Sequence, residues 1–234
     1  MNHHIVTIDG PSGTGKSSVA RQVAQKTGFL FLDTGALYRA AALAIEEAKG
    51  DPDNQIECAG IIGKTSIEIK NGCVWVNKRD VTSQIRMHHI SGLASRIAIH
   101  PEVRATLTGI QRSIASNTNI VAEGRDTGSV VFPHANIKIF MDADARERAL
   151  RRYRELTTRK KETTAQEITA QETTYDAILK AIKDRDKRDS TRSVAPLIIP
   201  EDAIVLDTTD MSLKEVVERI IGIIKKYPVE HINP

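Results

Sequence analysis

Residues 10 to 17 read GPSGTGKS, the spacing G-x-x-x-x-G-K-[ST], and they sit between an apolar stretch, HIVTID, and a stretch of helical spacing, SSVARQVAQKTG. Strand, glycine loop and helix in that order give the pattern its chemical meaning. Gly10, Gly13 and Gly15 allow backbone turns that aim successive amides inward, so that the loop and the helix N-terminus together surround a polyphosphate. Lys16 is spaced to reach the β and γ phosphates, and the Ser17 hydroxyl to ligate Mg2+.

Three further segments supply what a second phosphorylated molecule would need. LDTGALYR at 32 to 39 brings Asp33, Thr34 and Arg39, and EGRDTG at 123 to 128 brings Arg125 and Asp126. The third, KDRDKRDSTR at 183 to 192, crowds both signs of charge into one run. Ahead of it Tyr175, Ile178, Leu179 and Ile182 form one apolar helical stripe. Continued at the same period, the stripe reaches Arg185 and then Asp189, so its buried direction changes from grease to charge. Arg188 and Arg192 flank it as i, i+4 like charges, an unfavourable pair unless something negative sits between them. Guanidinium forks bind phosphate bidentately, and transfer between two anions requires their charge to be neutralised.

A glycine-rich phosphate loop alone is compatible with a switch GTPase, a motor, a nucleotide sensor or a small-molecule kinase. NKRD at 77 to 80 imitates the guanine-reading N-K-x-D, but it falls inside a stretch of strand alternation, with no D-x-x-G between the loop and it. That placement argues against a GTPase.

The elements that must carry these residues follow from periodicity. Apolar runs ending at residues 9, 33, 123, 142 and 207 alternate with amphipathic stretches, which predicts an α/β protein with a mostly parallel central sheet. Several runs end in Asp or Glu, and in such sheets ligands bind beyond the carboxyl ends of the strands. Period-two alternation on both sides of Asn71-Gly72 predicts a small antiparallel insert at 65–86. The segment 151–174, basic and then Thr-rich, is poor in apolar residues and reads as a mobile excursion between two helices. Pro101 opens a helix over 101–116 that projects Arg104 from its first turn, and Ser212 with Glu215 is spaced as a capping box for a last helix.

The totals fit one generous soluble domain: 234 residues, 40% hydrophobic and 27% charged, with a net charge of +3. So slight a charge does not by itself argue for nucleic acid or an anionic membrane, and neither is expected as partner. Cys58 and Cys73 have neither metal-ligand nor disulfide-framework spacing, and no leader or membrane span is visible, so a cytoplasmic protein is expected. The pairs His3-His4 and His88-His89 point in opposite directions if placed on strands, poor geometry for a metal, and are assigned structural or surface roles.

Taken in order, IDGPSGTGKS, LDTGALYR, EGRDTGSVVFP and RDKRDSTRSVAPL resemble the bacterial cytidylate kinases, P-loop enzymes that phosphorylate CMP and dCMP. The resemblance implies a five-stranded parallel core flanked by helices, with an acceptor domain and a helical lid. On that pattern 1–64, 87–150 and 175–234 are core, 65–86 the insert of the acceptor domain and 151–174 the lid. It implies ATP on Gly10, Pro11, Ser12, Gly13, Thr14, Gly15, Lys16, Ser17 and Ser18, with Mg2+ at Ser17 and with Arg151, joined by Arg159, reaching in from the lid. Thr34, Ser95, Arg104 and Asp126 match positions that hold the acceptor nucleoside. Arg39, Arg125, Arg188 and Arg192 match phosphate-binding positions, and Asp189, with Arg185 beside it, the sugar-hydroxyl position. Lys16, Asp33, Arg125, Arg188 and Arg192 are the catalytic set, in a monomer. The residue chemistry agrees, since a carboxylate accepts from cytosine N4 and repels uracil O4. A kinase for UMP or AMP, or a non-catalytic nucleotide-binding regulator, are the alternatives.

Overall fold

The computed structural model describes residues 3–70, 72–162 and 174–227. Along the chain run β1 (Ile5–Asp9), α1 (Lys16–Thr27), β2 (Leu30–Asp33), α2 (Thr34–Glu47), α3 (Gln55–Gly63), β3 (Ile67–Lys70), β4 (Cys73–Val76) and β5 (Arg79–Asp80). They are followed by α4 (His88–Ile97), α5 (Pro101–Ala115), β6 (Ile120–Glu123), β7 (Ile137–Asp142), α6 (Ala145–Glu162), α7 (Tyr175–Thr191), β8 (Ile204–Asp207) and α8 (Leu213–Lys226). Short turns of other helical type cover Gln84–Arg86 and Thr127–Val131.

Five strands form one parallel sheet in the order β2-β6-β1-β7-β8. Both faces of a parallel sheet are covered, which is why its strands are near-continuous apolar runs. β6 shows the division: Ile120 and Ala122 join the core with α2, α5 and the insert, whereas Val121 joins the core with α1 and α8. β1 lies at the centre, so the loop that follows it opens at the middle of the carboxyl edge, between β6 and β7.

The insert has three strands, one more than the hairpin that the alternation suggests. β3 and β4 pair from Ile67 with Val76 to Lys70 with Cys73, and Gly72 turns between them at φ 76°; Asn71 lies outside the described residues. Asn77 and Lys78 then reverse the chain into β5 at φ 48° and 66°, the doubly left-handed turn that suits adjacent antiparallel strands. The N-K of NKRD is therefore a turn.

Helix α6 corrects the reading of 151–174 as an excursion, because its helix continues through Glu162. Poverty in apolar residues does not forbid a helix: Arg, Lys, Glu and Leu are good helix formers, and Arg151 with Glu147 and Arg152 with Glu155 pair along it. One side packs Ala149 and Leu156 against Tyr175, Ile178 and Ile182 of α7, the expected stripe. The rest of the segment, 163–173, lies outside the described residues. His88-His89 opens α4 instead of lying on a strand, and His89 faces Glu46 at 3.4 Å.

Candidate active site

The phosphate loop is held by its glycines. Gly10 has φ 146°, and a Cβ there would stand 1.9 Å from the Met141 carbonyl oxygen of β7, so no side chain fits. Gly13 and Gly15 are left-handed at φ 83° and 86°, Gly15 serving as the cap of α1 with no side chain over the helix amides. Lys16 is buried, and its ammonium donates to the Pro11 carbonyl at 2.6 Å and to Thr14 Oγ1 at 3.3 Å, across the loop it is meant to serve. Ser17 and Ser18 are exposed at the first turn of α1.

Two strand-end carboxylates complete the loop's surroundings, and neither was singled out by motif. Glu123, at the end of β6, accepts the Ser17 hydroxyl at 2.7 Å. The two side chains place a hydroxyl and a carboxylate oxygen side by side at the mouth of the loop. Asp9, at the end of β1, accepts the amides of Thr127 and Gly128 at 2.9 and 2.7 Å, tying the EGRDTG loop to the root of the phosphate loop. The signal for both was that apolar runs ended in acids. Burial, and then the neighbouring Arg125, push the Lys16 ammonium well below its ordinary value, against the pull of Glu123 and Asp9. Burial and the charge of Asp33 raise Glu123, opposed by Lys16 and by the Ser17 hydrogen bond.

The sheet edge brings most of the predicted acceptor residues together. Asp33 caps α2 through the Ala36 amide at 2.7 Å and holds Arg39 at 3.2 Å. The buried Thr34 hydroxyl donates to the Glu123 carbonyl at 2.8 Å, across a junction so close that a Cβ on Gly124 would lie 2.6 Å from it. Arg125 pairs with Asp189 at 2.9 Å, and Arg185 stands 3.9 Å from the same carboxylate. Lost solvation, and then the repulsion of Arg125, Arg188 and Arg39, push the Arg185 guanidinium down, so four arginines from three elements share one region.

Asp126 is the second focus. One oxygen accepts Arg104, in contact with its guanidinium, and the other faces Arg192 at 3.3 Å. Arg104 also donates to the Ala98 carbonyl at 3.1 Å and lies over the Tyr38 ring, 5.6 Å from its centre. Arg192 donates to the carbonyl of Ala195, which is left-handed at φ 50°. A carboxylate has about four lone-pair sites, so Asp126 keeps capacity for an amino group.

Burial pushes the Tyr38 phenol up to about 12, with Asp126 adding to the rise and Arg104 opposing it. A tyrosine that stays neutral when folded but ionises near 10 when unfolded stabilises the fold below pH 10 and loses that contribution between pH 10 and 12. The loss is expected to be at most about 2–3 kcal/mol. Phenolate absorbance should show a step near pH 12 that coincides with unfolding and is absent from Tyr38→Phe.

Ser95 and Arg151 stand apart from these clusters, and Arg188, though near Arg185, turns outward. Ser95 is exposed on α4, its hydroxyl donating to Ser91 one turn back at 3.0 Å. Arg188 is exposed and donates to the Asp184 carbonyl of its own helix at 3.3 Å. Arg151 spends its fork on the carbonyls of Thr208 and Thr209, at 2.6 and 2.9 Å, in the loop after β8. The Arg159 side chain lies outside the described residues.

Comparison with known proteins settles which family has this arrangement. The family model described as cytidylate kinase matches residues 6–226. The chain belongs to the cytidylate kinase family. It is 42% identical over 217 residues to the cytidylate kinase of Polynucleobacter necessarius subsp. necessarius, covering 93% of this chain and 96% of that one. It is also 42% identical to the cytidylate kinase of Fervidobacterium nodosum, covering 96% and 97%, and 37% identical to that of Pasteurella multocida, covering 97% of each. An uncharacterised protein from Eubacterium ventriosum shares the fold, with a TM-score of 0.52, 14% identity and coverage of 96% and 99%. Among the described residues of this cytidylate kinase family member, no helix is long and apolar enough to cross a membrane.

Proposed function

We propose that the chain transfers the γ-phosphoryl group of ATP to CMP or dCMP, giving ADP and CDP or dCDP. The observation that carries this reading is Asp126, a buried carboxylate gripped by Arg104 and Arg192 at the sheet edge that also bears the phosphate loop. A cytosine amino group finds an acceptor there, and uracil O4 meets a repelling one.

ATP is assigned to residues 10–18, its polyphosphate on the loop amides. The acceptor phosphate is assigned to Arg39, Arg125, Arg188 and Arg192, its sugar hydroxyls to Asp189 with Arg185 beside it, and its nucleoside to Thr34, Ser95, Arg104 and Asp126, the last of which takes the base. A monophosphate is already mostly dianionic near pH 7, so its oxygen attacks the γ phosphorus without a strong base while the bond to the β–γ bridging oxygen breaks. The protein's part is alignment and charge neutralisation by Lys16 and the arginines. Oxygen donors suit Mg2+, and the Ser17 hydroxyl and Glu123 carboxylate, 2.7 Å apart, are the residues that would hold it. When bound, the metal neutralises charge on the β and γ oxygens.

The division into core, acceptor insert at 65–86 and lid at 151–174 is part of this reading, as are a monomeric state and a cytoplasmic location. The free thiols of Cys58 and Cys73 support the last.

An ADP-release assay with CMP, dCMP, UMP and AMP tests the function. Fast turnover with the cytosine nucleotides supports it; turnover unaffected by any of the four would leave a nucleotide-binding regulator. Glu123→Gln is expected to lower kcat by about 10- to 100-fold and raise the Mg2+ concentration for half-maximal rate, since a neutral amide holds the ion less well. A Mg2+ titration of the rate checks it.

A further inference from the structure

Ser12, at the tip of the phosphate loop, is gripped at both its backbone amide and its carbonyl. Asp186 Oδ1 accepts the Ser12 amide hydrogen at 3.1 Å, and Asp186 Oδ2 accepts Arg148 NH1 at 2.6 Å. The same NH1 donates to the Ser12 carbonyl at 2.8 Å, and Arg148 Nε donates to the Ala143 carbonyl at 2.8 Å. Arg148 comes from the first turns of α6 and its side chain is 7% exposed; Asp186 comes from α7. The next residue is wedged as well, because a Cβ on Gly13 would lie 3.2 Å from Arg148 Cβ and 3.4 Å from Ile182 Cδ1. The loop tip therefore sits in the angle between α6 and α7, with few ways to shift against either.

Asp186 is also the immediate neighbour of Arg185 and lies three positions before Asp189, residues assigned to the acceptor. One short stretch of α7 thus grips the ATP loop with one side chain and the second substrate with the next. Surface ion pairs do little, but a largely buried pair that also satisfies both backbone polar groups of one residue fixes geometry. We infer that Arg148 and Asp186 are positioning residues that set the acceptor arginines of α7 against the phosphate loop, aligning the two substrates for transfer. This rests on the kinase reading above. Neither residue is placed on a reacting atom, so the effect should fall on the rate of the bound complex more than on affinity, because a small misplacement of aligned groups slows reaction without weakening binding equally.

Removing one partner would strand a buried charge, so the test replaces both, as Arg148→Met with Asp186→Leu; buried pairs replaced by apolar residues of similar volume commonly keep their stability. Expected are a melting temperature close to that of the unaltered chain, ADP binding within about twofold, and faster hydrogen exchange at the Ser12 amide. With CMP and ATP, kcat should fall by about tenfold or more while both KM values change little. Asp186→Asn, which keeps shape and an oxygen for Ser12, should show the same split in smaller measure. A folded double variant with unchanged kcat would overturn the inference. So would a kcat loss matched by an equal loss of ADP affinity, which means a deformed loop, or loss of the fold in both variants, which means a purely structural tie. An unaltered chain that ignores CMP would instead sink the kinase reading, and the Ser12 exchange rate, read with ADP alone, would still report whether the pair holds the loop.

Discussion

Replacing Lys16 by Met is expected to lower kcat for CMP phosphorylation by about 10²- to 10³-fold, the scale seen when one preorganised group facing developing charge is removed. Its ammonium is buried, bonded to Pro11 and Thr14, and flanked by Glu123 and Asp9, so it is already desolvated where the β and γ phosphates are assigned. Desolvation makes its attraction for phosphate much larger than in water. Methionine keeps most of the volume and the apolar stem, so the melting temperature should hold or rise, because a buried amine no longer has to be satisfied. Steady-state kinetics beside a thermal melt give both readings; a variant within fivefold of the parent rate would remove Lys16 from the mechanism.

Asp126 carries the second large effect. Asp126→Ala leaves the guanidinium of Arg104, whose side chain is only 7% exposed, without its carboxylate, and a broken buried pair costs about 3–5 kcal/mol. Asp126→Asn separates recognition from folding, since it keeps the shape and gives uracil O4 a donor. The preference for CMP over UMP is expected to fall by about 10²-fold or more in either variant, because a site built to accept an amino group discriminates through that acceptor. Parallel kcat/KM values for the two nucleotides decide it: an unchanged ratio would release Asp126 from base recognition.

Much of the fold was legible because its signals are local. Each sheet strand is an apolar run that stops at an acid, and the phosphate loop is written in glycines whose left-handed φ values no other residue adopts cheaply. The stripe Tyr175, Ile178, Leu179 and Ile182 showed which side of α7 packs inward, and hence where Arg185 and Asp189 begin. What stayed hidden depends on contacts between distant segments. Glu123 looks like any strand end until Ser17, 106 residues earlier, is seen to donate to it. Arg148 reads as one of many charges on a polar helix, and only the folded chain shows it buried against Ser12. The third strand of the insert, two residues long, is too short for periodicity to announce.

The close seam between Gly10 and Met141 bears on how the loop meets its ligand. With Gly10 pressed on the backbone of a central strand and Asp9 bracing the next loop through two amides, the cradle has no slack to take up. A nucleotide arriving there has little chain to order, so more of its contact energy survives as affinity. The same stiffness makes the loop a poor host for anything whose phosphates are spaced differently, and passes any shift of the neighbouring strand to the bound nucleotide undamped.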